Sequence, residues 1–220
     1  MTLHHVTGPT AALAGIPAGL QAQGVWAGRR QLFVRFAVEA ETATMYTADA
    51  LANEIRRSTG RSVFHSISIS GRDPLANIEY LCAAFTKVTV PLPVMLDVDG
   101  QRPDEIADLK NSLTLVQVTL DGPPADAVVE RALRSLQTAA KVGLQHALVL
   151  SVDERTTDAA ALRIVEQTHG ASEAASIVVH PTGSAPVDRD RRWINLLERM
   201  AALHPDVRIA LRLPPPTGMR

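Results

Sequence analysis

Cysteine occurs once in the 220 residues, at Cys82, and lysine only at Lys87, Lys110 and Lys141. One thiol excludes an intrachain disulfide, a CxxC redox pair and an all-cysteine zinc or iron–sulfur site within one chain. Charge of one sign is not in excess either: 22 basic against 23 acidic side chains leave −1 at pH 7. That balance excludes a nucleic-acid partner held by bulk charge, since such domains are strongly basic. No apolar run approaches the roughly 18 residues of a membrane span, so no membrane partner is expected. The first 28 residues contain no Asp, Glu, Lys or Arg. Gly8, Pro9, Gly15, Pro17 and Gly19 nevertheless break any compact apolar block there, which argues against a signal peptide and for a cytoplasmic protein.

What is present is enough apolar material for a buried core: 46% hydrophobic residues and a mean hydropathy of +0.05. From residue 31 onward the pattern alternates in period. Short β-branched or aliphatic runs bounded by Gly, Pro, Asp or Ser predict strands over Gln31–Ala37, Phe64–Ser70, Leu92–Val98 and Leu113–Leu120. Three more follow at Leu144–Val152, Ser176–His180 and Val207–Leu213. Between them, helices are predicted after Thr47, from Asp73-Pro74, from Pro103-Asp104, over Asp126–Lys141, from Thr157-Asp158 and over Asp190–Leu203. Strand–helix alternation implies repeated βαβ units and a parallel sheet. About six to seven strands fall short of a closed eight-stranded barrel. The fold class expected is α/β, a single-domain partial, open parallel β/α barrel over residues 1–220. Residues 1–28 would cover an open sheet edge or lie in a subunit interface.

In such sheets the ligand lies at the carboxyl ends of the strands. That rule selects Glu39, Thr44, Ser70, Gly71, Arg72, Asp73, Asp97, Asp99, Thr119, Asp121, Ser151, Asp153, His180 and Arg212. Asp153, Thr157 and Asp158 read as turn formers or helix caps. The seven histidines are scattered, with no i, i+4 pair and no HExxH, so no metal site is expected. There is no GxGxxG, P-loop or GxSxG elbow, and no catalytic constellation can be assigned. Arg189, Arg191 and Arg192 alternate with Asp188 and Asp190 and read as a solvated face.

At these strand ends the chain resembles the 7-carboxy-7-deazaguanine synthase family of radical S-adenosylmethionine enzymes, in order from about Gly19 to Arg220. The family's substrate-binding turn, Gln-Gly-Glu-Gly-x-x-x-Gly, is similar to Gln21-Ala22-Gln23-Gly24-Val25-Trp26-Ala27-Gly28, and its Phe-Val-Arg-Leu strand to Phe33-Val34-Arg35-Phe36. Its Thr-Gly-Gly-Glu-Pro-Leu resembles Ser70-Gly71-Arg72-Asp73-Pro74-Leu75. Its Glu-Thr-Asn-Gly turn looks like Asp97-Val98-Asp99-Gly100, and its Asp-x-Lys-x-Pro like Thr119-Leu120-Asp121-Gly122-Pro123. A late Gln-Pro is similar to His180-Pro181, and the closing family pattern matches Arg208 to Arg220 in spacing. The resemblance implies a partial barrel of the radical enzyme type and a homodimer or heteromeric partner. It also implies a degenerate cofactor pocket of Ser70, Gly71, Arg72, Asp73 and Asp97, with Gln21, Gln23, Thr119, Asp121, His180 and Arg212 as ligand candidates.

The departures define the expected function. The family's three cluster cysteines should follow Arg35, but Phe36 to Tyr46 contains none. Glu39, Glu41 and the nearby threonines do not replace soft thiolate ligands. Thr44 roughly matches a family magnesium ligand in a remodelled loop, which gives no basis for carrying that ion over. Cys82, at an apolar position inside a predicted helix, is expected to be structural and buried. No [4Fe–4S] cluster, and therefore no radical chemistry, is expected. Arg72 replaces a glycine where backbone should approach the cofactor's ammonium, so S-adenosylmethionine is not the expected ligand, although Asp97 could accept from a ribose hydroxyl. Pro214 and Pro215 remove the family's His-Lys contacts. The expectation is a pseudoenzyme acting as a binding, regulatory or partner subunit. The alternative is polar, non-radical chemistry on a small anionic or nucleoside-like ligand, with His180 and Arg212 forming an anion site.

Overall fold

The computed structural model describes residues 8–38, 42–89, 91–182 and 191–211. Ten strands form one open sheet: β1 Thr10–Gly15, β2 Ala18–Leu20, β3 Arg30–Phe36, β4 Thr44–Thr47, β5 Ser66–Gly71, β6 Val94–Val98, β7 Leu115–Asp121, β8 Gln145–Val152, β9 Ser176–Pro181 and β10 Val207–Ile209. Their order is β10-β9-β8-β7-β6-β5-β3-β1-β4, with β2 also against β3. Every pairing from β3 through β10 is parallel. The crossovers carry α1 Ala48–Arg61, α2 Ile78–Thr86, α3 Asp126–Lys141, α4 Asp158–Ala171 and α5 Arg191–Leu203, with short 3-10 turns at Pro74–Asn77 and Asp104–Leu109. The seven predicted strands coincide with β3 and β5 to β10, as far as they lie within the described residues.

Three strands have no counterpart in the sequence-based expectation: β1, β2 and β4. All three pair antiparallel at one end of the sheet. Their sequences, TAALAG, AGL and TMYT, are short and mostly poor in β-branched residues, so propensity and alternation give little signal. β1 and β2 cover the edge that β3 would otherwise leave bare, and β4 in turn pairs with β1. β2 pairs with the first half of β3 and β1 with its end, while Phe33 N–H donates to the Pro17 carbonyl between them at 2.9 Å. Part of the charge-free N-terminal segment therefore covers the edge within the chain.

The helices all pack on one face. One apolar cluster joins Val34, Ile67, Ile69, Leu96, Val116, Val118, Leu148, Leu150 and Val179 of the sheet to Leu51 and Ile55 of α1, Leu81 of α2, Leu136 of α3, Ile164 of α4 and Leu196 of α5. Most of these are fully excluded from solvent, and each such side chain contributes about 1.5–3 kcal/mol of hydrophobic stabilisation. Thr47 and Thr157 cap α1 and α4 by accepting from Ala50 and Ala160 N–H at 3.0 and 3.2 Å. Among the described residues no helix is long and apolar enough to cross a membrane.

Candidate functional site

Side chains alternate along each strand, so the residues between the helix-facing ones look the other way. On that second face stand Gln31, Ser66, Ser68, Ser70, Met95, Asp97, Leu115, Gln117, Thr119, Ala147, Ser151 and His180, by strand register. Among the described residues this face has no helical cover. Instead the segment from Gln21 to Arg29 folds onto it. The segment is closed on itself by Gln21 N–H donating to the Arg29 carbonyl and Gly28 N–H to the Gln21 carbonyl, both at 2.9 Å. Val25 and Trp26 pack on Met95, Leu115 and Ala147, and Trp26 meets His65 edge-on with ring centroids 5.2 Å apart.

The sheet anchors this segment through polar groups. Val25 N–H donates to Gln117 Oε1 at 3.2 Å, and Gly24 N–H donates to His180 Nε2 at 3.0 Å. Gly24 sits at φ +81°, and a Cβ there would collide with the Gln117 carboxamide. Only glycine satisfies both the backbone conformation and the close approach. Gly71 is constrained in the same way, at φ +102° and against the Phe36 backbone.

Above this contact lies a cleft of about 610 Å³ lined by Gln23, Ser70, Gly71, Arg72, Asp73, Asp97, Asp99, Gln101, Thr119 and Asp121, with Val38, Pro74 and Val98. Gln23 Nε2 donates to Thr119 Oγ1 at 3.5 Å, and Thr119 Oγ1 in turn to Asp97 Oδ1 at 3.1 Å. Burial pushes Asp97 up to about 6, opposed by the Thr119 hydroxyl and the Gln117 and Gln21 amides, while nearby Asp121 adds to the rise. Asp121 accepts from Ser151 Oγ at 2.6 Å. Asp73 adopts φ 39°, ψ 63°, a left-handed conformation that Asp tolerates better than most residues. Its two oxygens accept from Arg102 Nε at 3.1 and 2.9 Å.

Nine of the predicted residues thus share one cleft: Gln23, Ser70, Gly71, Arg72, Asp73, Asp97, Asp99, Thr119 and Asp121. Gln21, 4% exposed, stands behind Asp97 rather than in the opening. His180 is fully buried, with Nε2 accepting from Gly24 N–H, and is not among the residues that line the cleft. Arg212, Glu39, Glu41, Pro214 and Pro215 lie outside the described residues. Gln117 and Arg102 were not singled out from the sequence. Gln117 carried a readable signal, a lone amide at an inward position of the alternating run Leu115-Val116-Gln117-Val118. Arg102, distant along the chain from Asp73, carried none.

The iron–sulfur cluster that the resemblance implies does not fit these residues. Its three thiolates have one counterpart, Cys82 of α2, which is part-buried rather than fully buried, and packs against the helix-side core. The Cys82 thiol is weakly directed at the Asp108 carbonyl, 3.7 Å away, and burial followed by the Asp108 charge raises its pKa. The cleft itself offers carboxylate, hydroxyl and amide groups with one guanidinium, Arg72; its carboxylates outnumber that cation and suit ligands rich in N–H and O–H donors. Compared with known proteins, the chain matches no family model and no curated protein.

Proposed function

We propose that this chain is a 7-carboxy-7-deazaguanine synthase-like protein, an open partial barrel of the radical enzyme type, that works without a [4Fe–4S] cluster. Its role is that of a binding, regulatory or partner subunit. A helical layer on a single face of a long parallel sheet supports the partial-barrel reading. The observation that carries the functional reading is the seat of the Gln21–Gly28 turn. The stretch that resembles a substrate-binding turn packs on the helix-free face, and its Gln23 lines the cleft with Thr119 and Asp97. No cysteine is available there.

The ligand expected is a neutral or cationic donor-rich molecule of nucleoside-like size. Asp97, Asp99 and Asp121 in the lining disfavour a bare anion. S-adenosylmethionine is not expected to bind. A thermal-shift screen of the full chain against S-adenosylmethionine, nucleosides and pterins tests this. A true ligand at 100 times its Kd stabilises by about 2.7 kcal/mol. Stabilisation by a nucleoside or pterin supports the reading. Anaerobic reconstitution that yields stoichiometric iron and sulfide would overturn it.

One observation favours a second reading, that of a repurposed enzyme. A partly buried carboxyl titrating at about 6 beside a hydroxyl is suited to move a proton near neutral pH. Turnover of a hit from the screen, abolished in Asp97→Asn with binding retained, would select it. Association with a second copy or a relative remains part of the proposal, and light scattering of the full chain reads it directly.

A further inference from the structure

The opposite end of the sheet carries a feature that the cleft does not use. Two adjoining depressions, of about 540 and 220 Å³, lie where α1 ends and the chain turns into β5. Both are lined by Arg61, Ser62 and Phe64. The larger adds Arg56, Val63, Pro91 and Leu92, and the smaller adds Arg30 and Arg57. Four guanidinium groups therefore ring one patch of a chain whose net charge is −1. Among the described residues the carboxylate paired with them is Glu54, which holds Arg57 at 2.6 Å. Arg30 lies over the Phe64 ring at 4.8 Å and donates to the Val63 carbonyl at 2.9 Å. Val63, between these cations, is 86% exposed, the most exposed large apolar side chain among the described residues.

Three of the guanidiniums are tied into the fold, Arg30 through the Val63 carbonyl, Arg56 through Asn53 Oδ1 and the Lys87 carbonyl, and Arg57 through Glu54, but those contacts do not call for a fourth cation and an exposed valine at the same place. Arg61 complements the negative end of α1, but four clustered cations repel one another and an exposed valine stabilises nothing. Arginine beside an apolar anchor is instead the composition of a protein-contact surface. We infer that this patch docks an acidic, aliphatic-anchored segment of a partner protein, with its apolar side chain on Val63 and Leu92 and its carboxylates on Arg61, Arg56 and Arg30. Both depressions are open to solvent, which suits a segment lying across them better than an enclosed small molecule. A nucleic acid is disfavoured because Phe64, the only aromatic lining residue, is 7% exposed beneath Arg30 and offers no ring for stacking.

The test uses the full chain and a fluorescein-labelled peptide of Leu-Glu-Glu repeats, read by anisotropy. Controls are its glutamine analogue and a single-stranded oligothymidine. Arg61→Glu and Val63→Asp alter exposed side chains, and circular dichroism confirms that each variant folds. Arg134→Glu, on α3 beside Asp104, is the distant control. Saturable binding is expected, weakened by about tenfold or more in Arg61→Glu and Val63→Asp, unchanged in Arg134→Glu, and weak for the glutamine analogue. No saturation by about 1 mM peptide would overturn the inference. So would equal binding by Arg61→Glu, or oligothymidine binding that is tighter and equally sensitive to Arg61→Glu. Self-association lost in Arg61→Glu without peptide binding would assign the patch to a second copy instead. The readout is independent of the cleft, so failure here leaves the proposed function standing.

Discussion

The β5 run Ser66-Ile67-Ser68-Ile69-Ser70 turns two chemically different faces to its surroundings. Ile67 and Ile69 enter the apolar cluster beneath the helices. Ser66 and Ser68 are just as completely buried, yet they look toward a face that also holds Gln31 and Gln117. The contrast repeats across the sheet. Val116, Val118 and Leu120 point to the helices, whereas Gln117 and Thr119 point away. Burial alone therefore does not distinguish the two faces; hydrogen-bonding capacity does. The helix side is apolar almost throughout: its few buried hydroxyls include Thr168, which donates to the Ile164 carbonyl at 2.8 Å, and Tyr80, whose hydroxyl makes no hydrogen bond. On the other side Gln31 Nε2 donates to Ser66 Oγ at 2.8 Å, but Gln31 Oε1 and Ser68 Oγ make no hydrogen bond. Such groups cost free energy to bury. One side of the sheet holds the fold together, and the other spends part of that stability on polar groups around the cleft.

Substitutions on the two faces test this difference. Leu148→Ala, on the helix side and fully buried, should lose about 2–5 kcal/mol in urea unfolding, through lost transfer energy and the cavity left behind. A loss under about 1 kcal/mol would mean that the helix layer contributes less than its burial implies.

Asp97→Asn should act in the opposite direction, with a pH dependence. The folded-state pKa of about 6 lies above the ordinary 3.8, so folding disfavours the charged carboxylate. Below pH 3.8 both states are protonated and no penalty exists. It grows as pH rises between the two values and is complete above about 6. The variant should therefore gain on the native protein from pH 4 to pH 7, by about 2 kcal/mol. Urea titrations across that range measure it, and a pH-independent difference would show that Asp97 is not the desolvated group.

Gly24→Ala probes the anchoring of the Gln21–Arg29 segment. The left-handed backbone and the collision with Gln117 should cost more than about 1 kcal/mol. Trp26 emission should shift to the red while the helix layer, read by far-ultraviolet circular dichroism, is unchanged. The smallest effect is expected from Ser68→Ala. Removing a hydroxyl that makes no hydrogen bond should leave stability within about 0.5 kcal/mol or raise it. A loss of more than about 1 kcal/mol would show that Ser68 is paired, for example through an internal water.

Much of the architecture was legible because it depends on local pattern. The period-2 runs marked β3 and β5 to β10, and Asp126–Lys141 matched α3 to the residue. Thr47 and Thr157 could be read as caps from their position before an apolar-periodic run. The strand-end rule gathers Ser70, Asp97, Thr119 and Asp121, which line one cleft. β1 and β2 escaped because their alanines and glycines carry no strand preference; β3's open edge recruits them. His180 lies near the end of β9, as its run predicts, and its Nε2 accepts from the Gly24 N–H. A strand register says where a side chain starts, not which distant backbone N–H will meet it, and Gly24 is 156 residues away.

The amino-acid sequence by itself determined the α/β alternation, the absence of the thiolates a cluster needs, and the two-faced strands. Composition and nearest-neighbour periodicity are local properties, and no folding event can add a cysteine. Tertiary structure alone decided that the Gln21–Arg29 turn seats on the helix-free face, that Asp97 is desolvated enough to titrate at about 6, and that Arg30, Arg56, Arg57 and Arg61 share one patch. Each of these depends on groups brought together across long stretches of chain. Desolvation and charge proximity act through space, so they come into being only when the sheet does.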